Sequence, residues 1–266
     1  MKLLLFWVAG FAAASAGAQE IVTLQTRPGV TQSFYIPSMG KRKPQAAALL
    51  LTADIRLRQE EGRIVFTTGN FLLRSRNSFV RNGILPALLD VPSDRAGKPT
   101  DDHFRRSAEH ALDVRAVLAY MKGRYPGLPV FLVGTSRSTV SVANLAAVLD
   151  AEIAGAVLTS ALFYEARSNS RQVQQPLLLG FNFSALRVPV LLAHHVDDAC
   201  PPTPYQAAAR LSQRFGYPLI SVKGGKPNKS GVCDSLSAHG FYGKESETVD
   251  AIAGWMLARP FAKEIQ

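Results

Sequence analysis

The stretch 129–149, PVFLVGTSRSTVSVANLAAVL, runs from a short apolar segment through Gly134-Thr135-Ser136-Arg137-Ser138 into a helical pattern. The apolar part reads as a buried strand, and the residues after the corner read as a helix over 137–149. A serine at such a corner has two readings. It can cap the helix, a role that serine fills well, or it can stand exposed as a nucleophile. A sharp strand-to-helix turn needs small residues before and after the serine, because bulk there collides with adjacent strands. Gly134 meets that need fully; Ser138 meets it less well, adding a Cβ and a hydroxyl.

Outward from this corner, apolar runs alternate with helical patterns. Upstream, EIVTLQTRPGVTQSFYIPS (20–38) alternates weakly and breaks at Gly29, suggesting a hairpin, and QAAALLLTAD (45–54) is a candidate buried strand. NFLLRSRNSFVRNG (70–83) reads as an amphipathic helix capped by Asn70 and ended by Gly83. ILPALLDVPSD (84–94) follows as a strand whose Pro86 needs an edge or a bulge. Residues 101–127 form one long helix, capped by Asp101 or Asp102, with Leu112, Val117 and Leu118 on its apolar face and Gly123 at its close.

Downstream come strands at 153–162, 188–195 and 218–222, helices at 204–215 and 246–258, and an irregular segment over 161–185. Strands alternating with helices predict an α/β fold with a mostly parallel sheet and helices on both faces. No repeat or low-complexity segment divides the chain, so 19–266 reads as a single domain.

The first residues, MKLLLFWVAGFAAASAGAQE, have a positive n-region, an apolar h-region over 3–14 and a small-x-small end at Ala16-Gly17-Ala18. That pattern predicts a secretory signal cleaved after Ala18 and a periplasmic or secreted protein. The apolar run is short for a membrane span, and no later segment is long and apolar enough to be one. The formal net charge is +10, and cleavage removes only Lys2. Such a balance is open to an anionic partner, but it reads rather as a basic surface suited to solubility. The arginines are dispersed from Arg27 to Arg259 without interleaved aromatics, which argues against nucleic acid. In an oxidising compartment the two cysteines, Cys200 and Cys233, are expected to pair, although two unpaired buried thiols would have the same sequence.

In a parallel sheet, reactive groups gather in the loops that leave the carboxyl ends of strands. Three candidates have that position: Ser136 after VFLVG, Asp197 or Asp198 after VLLAHH, and His239 in SAHGFYG. His103 and His110 lie on the long helix and read as structural. His194 and His195 end a strand and point to opposite faces. No HxH or HExxH spacing supports a metal, and no cofactor motif is present.

The order Ser, Asp, His, carried by GTSRS, HHVDDACPP and CDSLSAHGFYG, resembles the α/β-hydrolases over roughly 46–260, and within them a group of exported bacterial hydrolases of undefined substrate. The resemblance implies a serine nucleophile, Ser136, a base, His239, and an acid. Aligning His195 with the glycine of the family's Gly-x-x-Asp loop puts the acid at Asp198, followed by Pro201 and Pro202, with Asp197 as the alternative.

The resemblance also implies an oxyanion hole, one donor being the Arg137 backbone N–H. The second would come from Ala53 or Asp54 in Thr52-Ala53-Asp54-Ile55, where the family often has glycines and this chain has none. Residues 161–185 would form a short cap that selects a small acyl substrate, its aromatics lining an apolar wall and Arg137, Arg167 and Arg171 offering charge to an anionic group. A Cys200–Cys233 bridge would staple the acid loop to the histidine loop. The implied activity is hydrolysis of an ester, thioester or amide through an acyl-enzyme. A weakly active ligand-binding protein, a peptidase and an acyltransferase remain open on the same residues.

Overall fold

The computed structural model describes residues 19–52, 57–60, 63–66, 69–97, 100–165 and 175–266. The proposed signal 1–18, Ala53, Asp54, Arg167 and Arg171 lie outside the described residues.

Eleven strands occur among the described residues: β1 (Glu20–Arg27), β2 (Val30–Ile36), β3 (Ala46–Leu51), β4 (Leu57–Glu60), β5 (Arg63–Phe66), β6 (Ile84–Leu89), β7 (Val130–Thr135), β8 (Gly155–Thr159), β9 (Val190–His195), β10 (Leu219–Val222) and β11 (Glu264–Ile265). Nine make one sheet in the order β1-β2-β6-β3-β7-β8-β9-β10-β11. From β6 to β11 every neighbour is parallel, while β1, β2 and β6 pair antiparallel. The central strands β3, β6, β7, β8 and β9 are buried along their whole length. This matches their unbroken Ala, Val and Leu runs, since a sheet covered on both faces leaves no polar side to alternate. The hairpin β4–β5 stands apart and was not expected from RLRQEEGRIVF. Pro86 is tolerated inside β6 because the β2 ladder touches only Leu88 and Leu89.

The helices are α1 (Phe71–Arg74), α2 (Arg76–Arg81), α3 (Asp102–Arg105), α4 (Ala108–Arg124), α5 (Ser138–Val148), α6 (Tyr205–Phe215) and α7 (Glu245–Met256). They divide between the two faces. One core layer joins α4, α5 and α6 through Val114, Val117, Val142 and Leu211. The other joins α1, α2 and α7 through Phe71, Phe79, Val249 and Ile252.

Two helices expected to be continuous are broken. Asn70 caps α1 by accepting from the Leu73 N–H at 3.0 Å, but the helix restarts after Ser75. Asp101 caps α3 by accepting from Phe104 N–H, and Ser107 caps α4 by accepting from His110 N–H. At Ser107 the second start is made possible by a polar side chain that satisfies a first-turn donor, whereas Ser75 makes no side-chain bond to the first turn of α2. Gly123 does not close α4, which continues to Arg124. Leu112 is 46% exposed and so lies off the apolar face to which its neighbours Val117 and Leu118 belong.

A buried charge cluster anchors the amino-terminal hairpin to α4. Arg27 Nε and Nη2 each donate to Asp113 at 2.9 Å, and its Nη1 and Nη2 donate to Asp94 at 3.0 and 3.1 Å. Asp113 is wholly buried, so removing Arg27 would strand a charge.

Candidate active site

Ser136 follows β7 with φ +54°, in the left-handed region that non-glycine residues seldom enter. Its N–H donates to Thr159 O at 3.0 Å, and its carbonyl accepts from Thr139 N–H at 3.0 Å and from the Thr139 hydroxyl. The corner is therefore held by backbone bonds on both sides. No side chain caps α5, so Ser136 does not serve the capping role.

Gly134 explains how the chain turns this tightly. A Cβ there would lie 2.7 Å from Val142 Cγ2 and 2.8 Å from Ser138 O. Position 138 tolerates its serine, which is fully buried with an Oγ that has no partner among the described residues. Arg137 begins α5, so its N–H is one of the first-turn donors that a helix leaves without an internal acceptor. Its guanidinium is about one-third exposed and lies 3.5 Å from Asp102.

Across the sheet edge, Asp198 and His239 are joined directly. Asp198 Oδ2 lies 2.9 Å from His239 Nδ1. The same oxygen accepts from Thr203 Oγ1 at 2.9 Å, and Oδ1 accepts from Cys200 N–H at 3.0 Å. His194 Nε2 lies 3.4 Å from Oδ2 and 2.7 Å from Thr203 O. Burial opposes ionisation of this inaccessible carboxyl, but hydrogen bonds from His194 and His239 outweigh it and hold Asp198 well below the usual carboxylate range. Asp197, by contrast, is exposed, and only its N–H is engaged here, donating to His195 Nδ1 at 3.1 Å.

His239 is fixed from behind as well. Ser160, itself at φ +44°, donates from Oγ to His239 O at 2.7 Å. Gly240 permits the turn, since a Cβ there would meet Ser235 O at 2.0 Å. Thr159, which holds the Ser136 N–H, and Ser160, which holds the His239 carbonyl, are consecutive. One strand end thus registers the serine corner against the histidine loop.

Cys200 and Cys233 form a disulfide, with a sequence separation of 33. It ties the acid loop to the histidine loop. Cys200, Asp198 and His239 place their ligand-type atoms within 4.8 Å of one another, but the Cys200 sulfur is spent in the bridge. Two donors remain, short of the three or four protein ligands of a zinc site.

Sequence reasoning missed Thr203 and Ser160 as supports, while the expectation that His194 packs against the acid loop is met by its 3.4 Å approach to Asp198 Oδ2. For the first two the signal was present: each is a polar residue just past the carboxyl end of a buried strand, or among prolines, where an unpaired polar group is costly. The expected cap is described only over 161–165 and 175–185. Its Phe163 and Phe183 are buried in the core, Phe181 and Phe183 line a cavity of about 670 Å³ together with Phe215, and Tyr164 bridges Pro176. No described helix is long and apolar enough to cross a membrane.

No family model matches the sequence, and no curated protein matches it. Solved structures do. The chain is similar to Est1E from Butyrivibrio proteoclasticus, with a TM-score of 0.59 and 13% identity over 90% of this chain and 99% of that one. It is similar to XC6422 from Xanthomonas campestris, described as an a/b serine hydrolase without lid, at TM-score 0.57, 16% identity and coverages of 91% and 97%. An alpha-beta serine hydrolase homologue from Coxiella burnetii gives 0.55, 14%, 90% and 96%. At such identities the likeness is one of fold, and the fold is that of the α/β-hydrolases.

Proposed function

We propose that the chain is an exported serine hydrolase that cleaves an ester, thioester or amide of a small molecule through Ser136, His239 and Asp198. The observation that carries the reading is the Asp198–His239 hydrogen bond at 2.9 Å, made by a buried carboxylate to the Nδ1 of a histidine. A carboxylate on Nδ1 fixes the imidazole tautomer and leaves Nε2 to act as base, the arrangement that nucleophilic catalysis by serine requires. Ser136 supplies the matching partner, a serine on a strained strand-to-helix corner at the carboxyl edge of the same sheet.

In this reading, His239 Nε2 takes the Ser136 proton as Oγ attacks the acyl carbon. The imidazolium then gives that proton to the leaving group. Water, deprotonated by the same histidine, releases the acid and restores the serine. Asp198 orients the ring and stabilises its charge throughout. The Arg137 N–H is one oxyanion donor, and Ala53 is our candidate for the second. The described neighbours of the same fold include proteins named as serine hydrolases, which supports the class without fixing a substrate. An oxidising compartment fits the disulfide. Arg137, about one-third exposed although it lies 3.5 Å from Asp102, favours an acyl substrate with an anionic group.

The test is steady-state hydrolysis of p-nitrophenyl butyrate by the purified protein lacking 1–18. Ser136→Ala is expected to lower kcat by at least about 10⁴-fold. Equal rates in both proteins would remove Ser136 from the chemistry.

A further inference from the structure

The positive charge of the chain finds no use in this mechanism, and the molecule concentrates part of it in one place. A cleft of about 460 Å³ lies between the α1–α2 corner, the start of α7 and the loop at Lys226. Arg74, Arg81 and Lys226 line it against a single carboxylate, Glu245. That carboxylate is already committed: Oε1 accepts from Arg74 at 2.9 Å and Oε2 accepts from Gly243 N–H at 2.8 Å. No carboxylate among the described residues pairs with Arg81 or Lys226.

The remaining lining is suited to oxygen. Arg81 Nη2 donates to Ser78 Oγ at 2.8 Å and to Ser246 Oγ at 3.2 Å, which holds the guanidinium against the wall. Ser75, also in the lining, is 2% exposed, and its Oγ has no partner among the described residues.

We propose that this cleft binds a phosphate or sulfate monoester, with Arg81 and Lys226 taking the oxyanion. Arginine forks and hydroxyl donors match a tetrahedral oxyanion, whose charge strengthens each bond. The cleft is larger than an inorganic oxyanion, so the ligand carries further atoms along it. The site shares no residue with Ser136, Asp198 or His239, and it stands whether or not those residues catalyse.

It does touch their support. Arg74 Nη2 donates to Gly240 O at 2.9 Å, and Lys226 N–H donates to Tyr242 O at 2.9 Å. Gly240 and Tyr242 are one and three residues past His239, so a bound monoester braces the histidine loop from outside.

Isothermal titration of the protein lacking 1–18 with inorganic phosphate and then inorganic sulfate, at ionic strength fixed with chloride, tests the site. The expected result is saturable single-site binding that weakens at least about tenfold in Arg81→Ala/Lys226→Ala. Should the double variant fail to fold, Arg81→Gln alone carries the comparison. Sedimentation with phosphatidic acid vesicles separates the sources. Co-sedimentation lost in the double variant makes the monoester a lipid headgroup, whereas phosphate binding without co-sedimentation makes it a soluble metabolite. Non-saturable heats, or equal affinities in wild type and double variant, overturn the proposal. Because no readout is turnover, that failure is distinct from failure of the hydrolase reading.

Discussion

The two halves of the candidate site are held by different means. The Ser136 corner is a matter of backbone and space: a left-handed φ, a glycine with no room for a Cβ, and carbonyl and amide bonds to Thr139 and Thr159. The Asp198–His239 pair is a matter of side chains and a covalent link: Thr203, His194, the Cys200 N–H and the disulfide converge on one buried carboxylate and its loop. The first half is sensitive to added atoms, the second to removed ones. Strain must be enforced by packing, whereas a buried charge must be enforced by donors.

The sharpest way to break the comparison is on the second half. Asp198→Asn keeps the shape but removes the charge that fixes the His239 tautomer, and kcat on p-nitrophenyl butyrate is expected to fall by about 10⁴-fold. Asp197→Asn, at an exposed position, is expected to change it by no more than about twofold. The reverse ranking would exchange the roles of the two acids.

Next in size is the bridge. Cys200→Ser/Cys233→Ser is expected to lose about 3–4 kcal/mol of stability in urea titration, since the closed loop spans 33 positions in sequence. A small further loss of kcat at a temperature where the variant is folded would show the staple holding geometry. Full stability and full activity would reduce the disulfide to a bystander.

The smallest effect concerns His110, which packs at 5.1 Å from the Phe104 ring in a pocket shared with Thr52 and Ser141. Burial, with Arg105 and Arg27 nearby, pushes its imidazole down to about 3. The unfolded imidazole takes its proton near 6.5. Between these values the unfolded chain binds the extra proton, so this stabilisation is complete above about pH 6.5 and is lost as pH falls toward 3. In His110→Phe, the fall of unfolding free energy between pH 6 and 4 is expected to be shallower by about 1.4 kcal/mol per pH unit. An unchanged slope would place the acid sensitivity elsewhere.

The same contrast governs what the sequence disclosed. The parallel core strands were legible because burial on both faces writes itself as unbroken apolar runs, as in AAALLL over 46–51 and VLLA over 190–193. The serine corner was legible because its constraint is local: Gly134 and Ser136 are two residues apart. Most supports of the Asp198–His239 pair were not. Thr203 and Ser160 act through contacts that only the folded sheet creates, and Ser160 reaches across 79 positions to His239 O. The helix breaks at Ser75 and Ser107 were also missed, because apolar periodicity runs through both; a side-chain cap restarts the helix at Ser107, and none forms at Ser75. The hairpin β4–β5 was hidden by its charge-rich composition.

The central claim is that Ser136 is an activated nucleophile, and intact-mass spectrometry after fluorophosphonate treatment addresses it most directly. The wild-type protein lacking 1–18 is expected to gain one adduct, while Ser136→Ala, folded by circular dichroism, gains none. A folded wild-type protein that takes no label, or a Ser136→Ala variant that labels equally well, would contradict it.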